Sequence, residues 1–136
     1  MPKAKGGGDA ARFHGELLSR HMNGKHRQLT RALGYTTNVV IPYALIIVPM
    51  DFIYDGASIP RFLWSVVGHP FGKYAPAAVL HDYLYTYHKY PRRTVDKIFL
   101  EAMCVIGVKG WRRRIMYAAV RLFGHRGYKR SGGEGP

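Results

Sequence analysis

Apolar positions along this 136-residue chain change their period near the middle. Up to about residue 54 they suit extended segments. "RQLTRAL", from Arg27, alternates weakly. "NVVIPYALIIVP" is apolar and β-branched, the pattern of a buried strand or of two short strands broken at Pro42. "MDFIYDG" is a further short extended piece that ends at Gly56. "DGASIPRFLW" then brings a turn and a bulky apolar cluster, with Pro60 disfavouring helix at Ile59. Beyond it the period becomes helical. One helix is expected from about Tyr74 to Tyr87, with Pro76 tolerated in its first turn. A second is expected from Pro91 to Gly107, its stripe being Val95, Ile98, Phe99, Ala102, Met103 and Ile106. A third is expected from Gly110 to Phe123, burying Trp111, Ile115, Ala118, Ala119 and Leu122 and stopped by Gly124. Strands followed by helices predict an α+β fold. A short antiparallel β-sheet fills the N-terminal half and three helices the C-terminal half.

Length and composition fit this picture. The chain suits one domain over residues 13–128, between a flexible basic arm (1–12) and a flexible tail (129–136). Its single cysteine, Cys104, excludes an intramolecular disulfide and is expected to be a buried thiol. The basic start "MPKAKGGGDAARFHGE" lacks the apolar core of a secretory signal. The longest apolar run is too short to span a bilayer, which takes about 20 residues. A protein made in a cytoplasm is expected.

Charge narrows the partners without choosing one. There are 21 Lys and Arg against 8 Asp and Glu, a formal +13. That suits nucleic acid, an anionic membrane surface or an acidic protein. The cluster Arg112, Arg113 and Arg114 is a candidate contact for anions or nucleic acid.

Against this basic background, "AVLHDYLY" places His81 and Asp82 side by side in apolar sequence. On a helix, His81 shares a face with Leu84, Tyr85 and His88, whereas Asp82 points about 100° away. The short connection "TYHKYPRR" favours an antiparallel helix pair, which brings Asp96 back towards His81. Asp96 then orients His81 through a ring N–H, as a carboxylate orients a general base, with the Tyr85 hydroxyl on the same carboxylate. Asp82 is a candidate ligand for a hard metal, with oxygens from Asp55 and Ser58 in "DGAS". The alternative is structural: His81 on a backbone carbonyl, Asp82 paired with Arg61 or Arg93, and Asp55 capping a turn. A zinc set of His69, His81 and His88 fits no known spacing. Ser58 lacks the G-x-S-x-G elbow of a serine nucleophile.

"VPMDFIYDGASIPRFLWSVVG", "GKYAPAAVLHDYLY", "RRTVDKIFLEAM" and "MYAAVRLFG" together resemble a domain of unknown function (1353) common in tailed phages and prophages, over roughly residues 27–128. The resemblance implies a viral origin and residence in the host cytoplasm or the virion. "HDYLY" followed by "VDKIF" is also similar to the centre of phospholipases A2. That likeness implies His81 as the base that activates water, Asp96 as its orienting partner and Tyr85 as a brace. It implies Asp82 as a calcium ligand, with "YDGAS" standing for the calcium loop. The flanking cysteines of those enzymes are missing, Val79 and Leu84 lying there instead, and their loop is richer in glycine. Three functions are carried forward. One is a calcium-assisted ester or lipid hydrolase acting on anionic lipid in lysis or envelope passage. Another is a non-enzymatic virion component, at the tail or in assembly, partnered by phage structural proteins. The last is a basic binder of nucleic acid or of a host machine.

Overall fold

The computed structural model describes residues 10–22, 26–40, 43–54, 65, 72–125 and 128. The chain divides into two compact units, Met1–Asp55 and Gly56–Pro136. The first is all β and the described part of the second is helical, so the α+β expectation holds.

Six short strands build the first unit: β1 (Arg12–His14), β2 (Ser19–His21), β3 (Arg27–Leu29), β4 (Leu33–Thr37), β5 (Ala44–Val48) and β6 (Ile53–Tyr54). They form two three-stranded antiparallel sheets rather than one, ordered β1-β4-β5 and β2-β3-β6. The segment "RQLTRAL" is thus shared between sheets, with β3 in one and Leu33 opening β4 in the other. β4 pairs with β5 so that Leu33 faces Val48 and Tyr35 faces Ile46. All four of these side chains are buried.

The run "NVVIPYALIIVP" is not a strand buried on both faces. Asn38–Val40 form a bend, and the extended segment begins only at Ala44. Pro42 lies outside the described residues. In β5, Ile46 and Val48 point inward while Leu45 and Ile47 are exposed. An antiparallel edge strand needs to bury one face only, and this alternation follows from that. Between β5 and β6 the chain turns through Pro49–Phe52, where the Phe52 N–H donates to the Pro49 carbonyl (3.3 Å). Asp51 takes φ +76 there, the sign that the third position of a type II turn requires.

The second unit contains α1 (Ala75–Tyr87), α2 (Arg92–Val105) and α3 (Gly110–Phe123), close to the expected bounds. α1 has Pro in its first turn and ends at His88, in a left-handed conformation. It is buried almost all round: Ala75, Ala77, Val79, Leu80, His81, Tyr83, Leu84 and Tyr85 are inside. Its half-buried positions include the line Ala78, Asp82 and Thr86. α2 buries Val95, Ile98, Phe99, Ala102 and Met103 of the expected stripe and adds Asp96 to it, whereas Ile106 caps the helix and is half-buried. It closes at Gly107, φ +82, where the Gly107 N–H donates to the Cys104 carbonyl and the Val108 N–H to that of Met103. These two bonds are the Schellman closure, and Val108 buries itself as the motif's apolar contact. Cys104 is exposed, not buried as expected, because it lies outside the inward stripe.

α3 differs most from expectation. Its buried residues are Met116, Ala119 and Val120. Trp111, Ala118 and Leu122, expected inside, are exposed, and Ile115 is half-buried. The helix carries two apolar stripes, and the narrower one of smaller residues faces α2. Gly124 follows α3 with an ordinary right-handed φ of −78, so it does not close the helix through a left-handed turn. Among the described residues, no helix is long and apolar enough to cross a membrane.

Candidate functional site

The four-residue connection between α1 and α2 folds them back on each other. His81 meets Asp96, and Tyr85, one turn later, meets Arg92, one turn earlier. That reversed order is the mark of an antiparallel pair. α2 and α3 are also antiparallel, since the start of α2 reaches the end of α3. Arg92 donates to the carbonyls of Val120 (2.9 Å) and Arg121 (3.1 Å). These carbonyls belong to the last turn of α3, where a cation is favourable, and that of Val120 also accepts from the Gly124 N–H at 2.9 Å.

Asp96 is the junction of the three helices. The His81 Nε2–H donates to its Oδ1 at 2.7 Å, and the Tyr85 hydroxyl donates to the same oxygen at 2.7 Å. Arg121 donates to Oδ2 at 2.7 Å, and Arg92 stands 3.6 Å from it. His81 is 1% exposed and Asp96 0%. The contact between His81 and Asp96, and the Tyr85 bond to the same carboxylate, are as the sequence led us to expect. The backbone-carbonyl alternative for Nε2 is replaced by this bond. The two arginines on Oδ2 were not anticipated. The available signal was a lone acid inside an apolar stripe, which a buried carboxylate occupies only with cationic partners.

Protonation follows from the geometry. Burial pushes the Asp96 carboxyl up, but the hydrogen bonds from His81, Tyr85 and Arg121 outweigh it. The carboxyl therefore stays below its ordinary value. A carboxylate only accepts, so Nε2 of His81 carries a proton and Nδ1 the lone pair. Burial pushes the imidazole below its ordinary 6.5, Arg92 pushes the same way, and Asp96 opposes both. His81 is thus neutral near pH 7, with one nitrogen anchored and the other basic. Burial also pushes the Tyr85 phenol well up, so it remains a donor. The imidazole is wedged between the rings of Tyr85 (4.1 Å between centroids) and Phe99 (4.7 Å), which fixes its plane.

Tyr85 is held from two further sides. The Tyr128 ring meets it edge-on at 5.1 Å. Tyr128 in turn stacks on His88 at 3.7 Å, its hydroxyl donates to the Tyr90 carbonyl at 2.9 Å, and its own carbonyl accepts from His88 Nε2. On the other side is Gly124, where an added Cβ would lie 2.8 Å from the Tyr85 hydroxyl and 2.5 Å from the Val120 carbonyl. This close approach is the reason for glycine there. Gly124→Ala is expected to lower stability by about 1–3 kcal/mol, the usual cost of overpacking. Urea unfolding of the two proteins measures it. An unchanged midpoint would mean that Tyr85 is not pressed against Gly124.

Of the other expected residues, Asp82 is half-buried on α1 beside His81, whereas Asp55, Ser58, Arg61 and His69 lie outside the described residues. Among the described residues, no cluster of three or more His, Cys, Asp or Glu is placed to hold a metal ion. Arg113 donates to the Val108 carbonyl at 2.7 Å, Arg112 lies 5.3 Å over the Trp111 ring, and Arg114 is exposed.

Two relatives come from Sinorhizobium fredii (strain NBRC 101917 / NGR234). The chain is 40% identical over 78 residues to its Uncharacterized protein y4jT, and 36% identical over 73 residues to its Uncharacterized protein y4iH. These stretches take in 57% and 53% of the chain but only 23% and 30% of the relatives' own lengths. No solved structure matches the chain. The family described as "Protein of unknown function (DUF1353)" matches residues 27–120, from β3 almost to the end of α3 and through His81, Tyr85 and Asp96, and the chain belongs to that family.

Proposed function

We propose that the chain is a hydrolase of carboxylic esters in which His81 is the general base. The observation that carries this reading is the 2.7 Å bond from His81 Nε2 to Asp96 Oδ1, which leaves Nδ1 as the basic atom of a neutral, oriented imidazole. Nδ1 takes a proton from water as the water oxygen attacks the ester carbonyl. The tetrahedral intermediate collapses with loss of the alcohol, which takes that proton back from the imidazolium. Asp96 stabilises the imidazolium between the two steps, and Tyr85 keeps Asp96 in place.

Calcium belongs to the phospholipase-like form of this proposal. A hard cation takes roughly six to eight oxygens. The described residues near His81 offer two carboxylates, Asp96, which is taken up by His81, Tyr85 and Arg121, and Asp82, and do not by themselves make that set. No step is therefore routed through the metal, and calcium enters as a variable of the assay. The test is release of carboxylic acid from short-chain phospholipid by the purified chain, in calcium or in chelator. Release in either condition is expected, and release only in calcium would add the metal. No release from folded protein would overturn the proposal.

A second reading is favoured by the burial of the network and by the two arginines on Asp96 Oδ2. In it the five side chains His81, Tyr85, Arg92, Asp96 and Arg121 only fasten α1, α2 and α3 together. The protein is then a non-enzymatic component, and a virion or assembly role in a phage goes with that reading.

A further inference from the structure

The exposed stripe of α3 has no role in the three-helix core. Trp111, Ile115, Ala118 and Leu122 step by four, three and four and so lie along one line of the helix. Trp111 is 50% exposed and Leu122 66%. Over about 17 Å, at 1.5 Å per residue, an apolar line therefore faces outward, with Trp111 and Leu122 at its ends and Ala118 and the half-buried Ile115 between them. The helix that carries it has no Asp or Glu and four arginines, Arg112, Arg113, Arg114 and Arg121. Arg114 flanks the stripe on one side. On the other, Arg112 lies over the indole of Trp111.

We propose that this face of α3 docks on an anionic lipid surface. A helix that lies in a membrane interface combines an apolar stripe carrying Trp and Leu with basic residues beside it. Trp and Arg are both suited to the headgroup level, where an apolar body meets a charged layer. Nucleic acid accounts for the arginines but not for Trp111 and Leu122, which have no phosphate to meet. Docking does not rest on the hydrolase reading. Joined to it, it names the substrate class as a lipid ester presented at an anionic surface.

The test is sedimentation of the full chain with vesicles of phosphatidylcholine, with and without phosphatidylglycerol. The double variant W111Q/L122Q and the variant His81→Gln are run alongside. Both α3 positions are exposed, so the double variant is expected to fold normally and to cleave a monomeric short-chain ester as the native chain does. The native chain and His81→Gln are expected to bind phosphatidylglycerol vesicles alike. The double variant should bind about tenfold more weakly, through loss of buried apolar surface. Undiminished binding by the double variant would overturn the proposal, since general positive charge would then suffice. So would no vesicle binding together with salt-sensitive binding of duplex DNA, which would make α3 a nucleic-acid surface. Vesicle binding without ester release would overturn the hydrolase and leave the docking face standing.

Discussion

Asp96→Asn is expected to destabilise the protein by about 3–5 kcal/mol, the cost of breaking a buried ion pair by removing one partner. The exchange keeps the shape of the side chain and removes only its charge and one acceptor. Four donors converge on the carboxylate, with His81 and Tyr85 on Oδ1 and Arg121 and Arg92 on the side of Oδ2. An amide presents one oxygen and one NH2 group. Facing Oδ2, its NH2 would be set against two arginines, which only donate. Facing Oδ1, its NH2 meets a neutral imidazole, which accepts in its other tautomer, and a phenol oxygen, which also accepts. The amide is expected to turn its nitrogen to His81 and Tyr85 and its oxygen to Arg121. The loss then comes from the arginines left without a carboxylate charge and is expected at the lower end of the range. Urea unfolding monitored by far-ultraviolet circular dichroism measures it. A loss below about 1 kcal/mol would mean that water reaches the junction and that Asp96 does not fasten the helices.

This junction was half legible in the sequence, for physical reasons. The helical period and the short "TYHKYPRR" connection fix an antiparallel pair, and that pair alone brings Asp96 opposite His81. The arginines come from elsewhere: Arg92 from the first turn of α2 and Arg121 from the last turn of α3. Their arrival depends on how α3 is rotated, and α3 is the helix whose rotation the pattern misjudged. Met116, Ala119 and Val120 compete with Trp111, Ala118 and Leu122 as its apolar face. Side-chain size favours the second set, whereas close approach to α2 favours the first. The same limit hid the reason for Gly124, which answers to the Tyr85 hydroxyl and not to a backbone angle. In the first unit, β1 ("RFH") and β2 ("SRH") are too short and too polar to show a period of two. They exist because β4 and β3 offer them antiparallel edges.

His81→Gln separates the catalytic from the fastening reading, and the two predict opposite pairs of outcomes. A glutamine amide can place an N–H near the position of the imidazole Nε2–H and keep the bond to Asp96. It offers no basic atom at the position of Nδ1. If His81 is the base, ester release is expected to fall by about 10²–10⁴, the usual contribution of general-base catalysis, while stability at pH 8 changes little. If His81 only fastens, there is no release to lose. The native protein should also carry a pH signature that the variant lacks. Its imidazole is held below 6.5 by burial, so below that pH the unfolded chain binds a proton that the folded chain refuses. Protons bound in the unfolded state then exceed those in the native state, and stability falls as the pH falls. The contribution of neutral His81 is whole above pH 6.5 and is lost progressively below it, by up to about 1.4 kcal/mol per pH unit. Asp96, also held below its ordinary 3.8, adds a loss in the same direction at still lower pH. Between pH 7 and pH 5 the native chain should therefore weaken more steeply than His81→Gln, because only the native chain has that proton to exclude. Release should fall over an acid limb centred below pH 6.5, where the base itself takes up the proton. An acid limb centred above 6.5, with a native chain that weakens less steeply than His81→Gln, would mean that His81 is held protonated in the native state. The imidazole would then be the cation of an ion pair with Asp96, and no base for water.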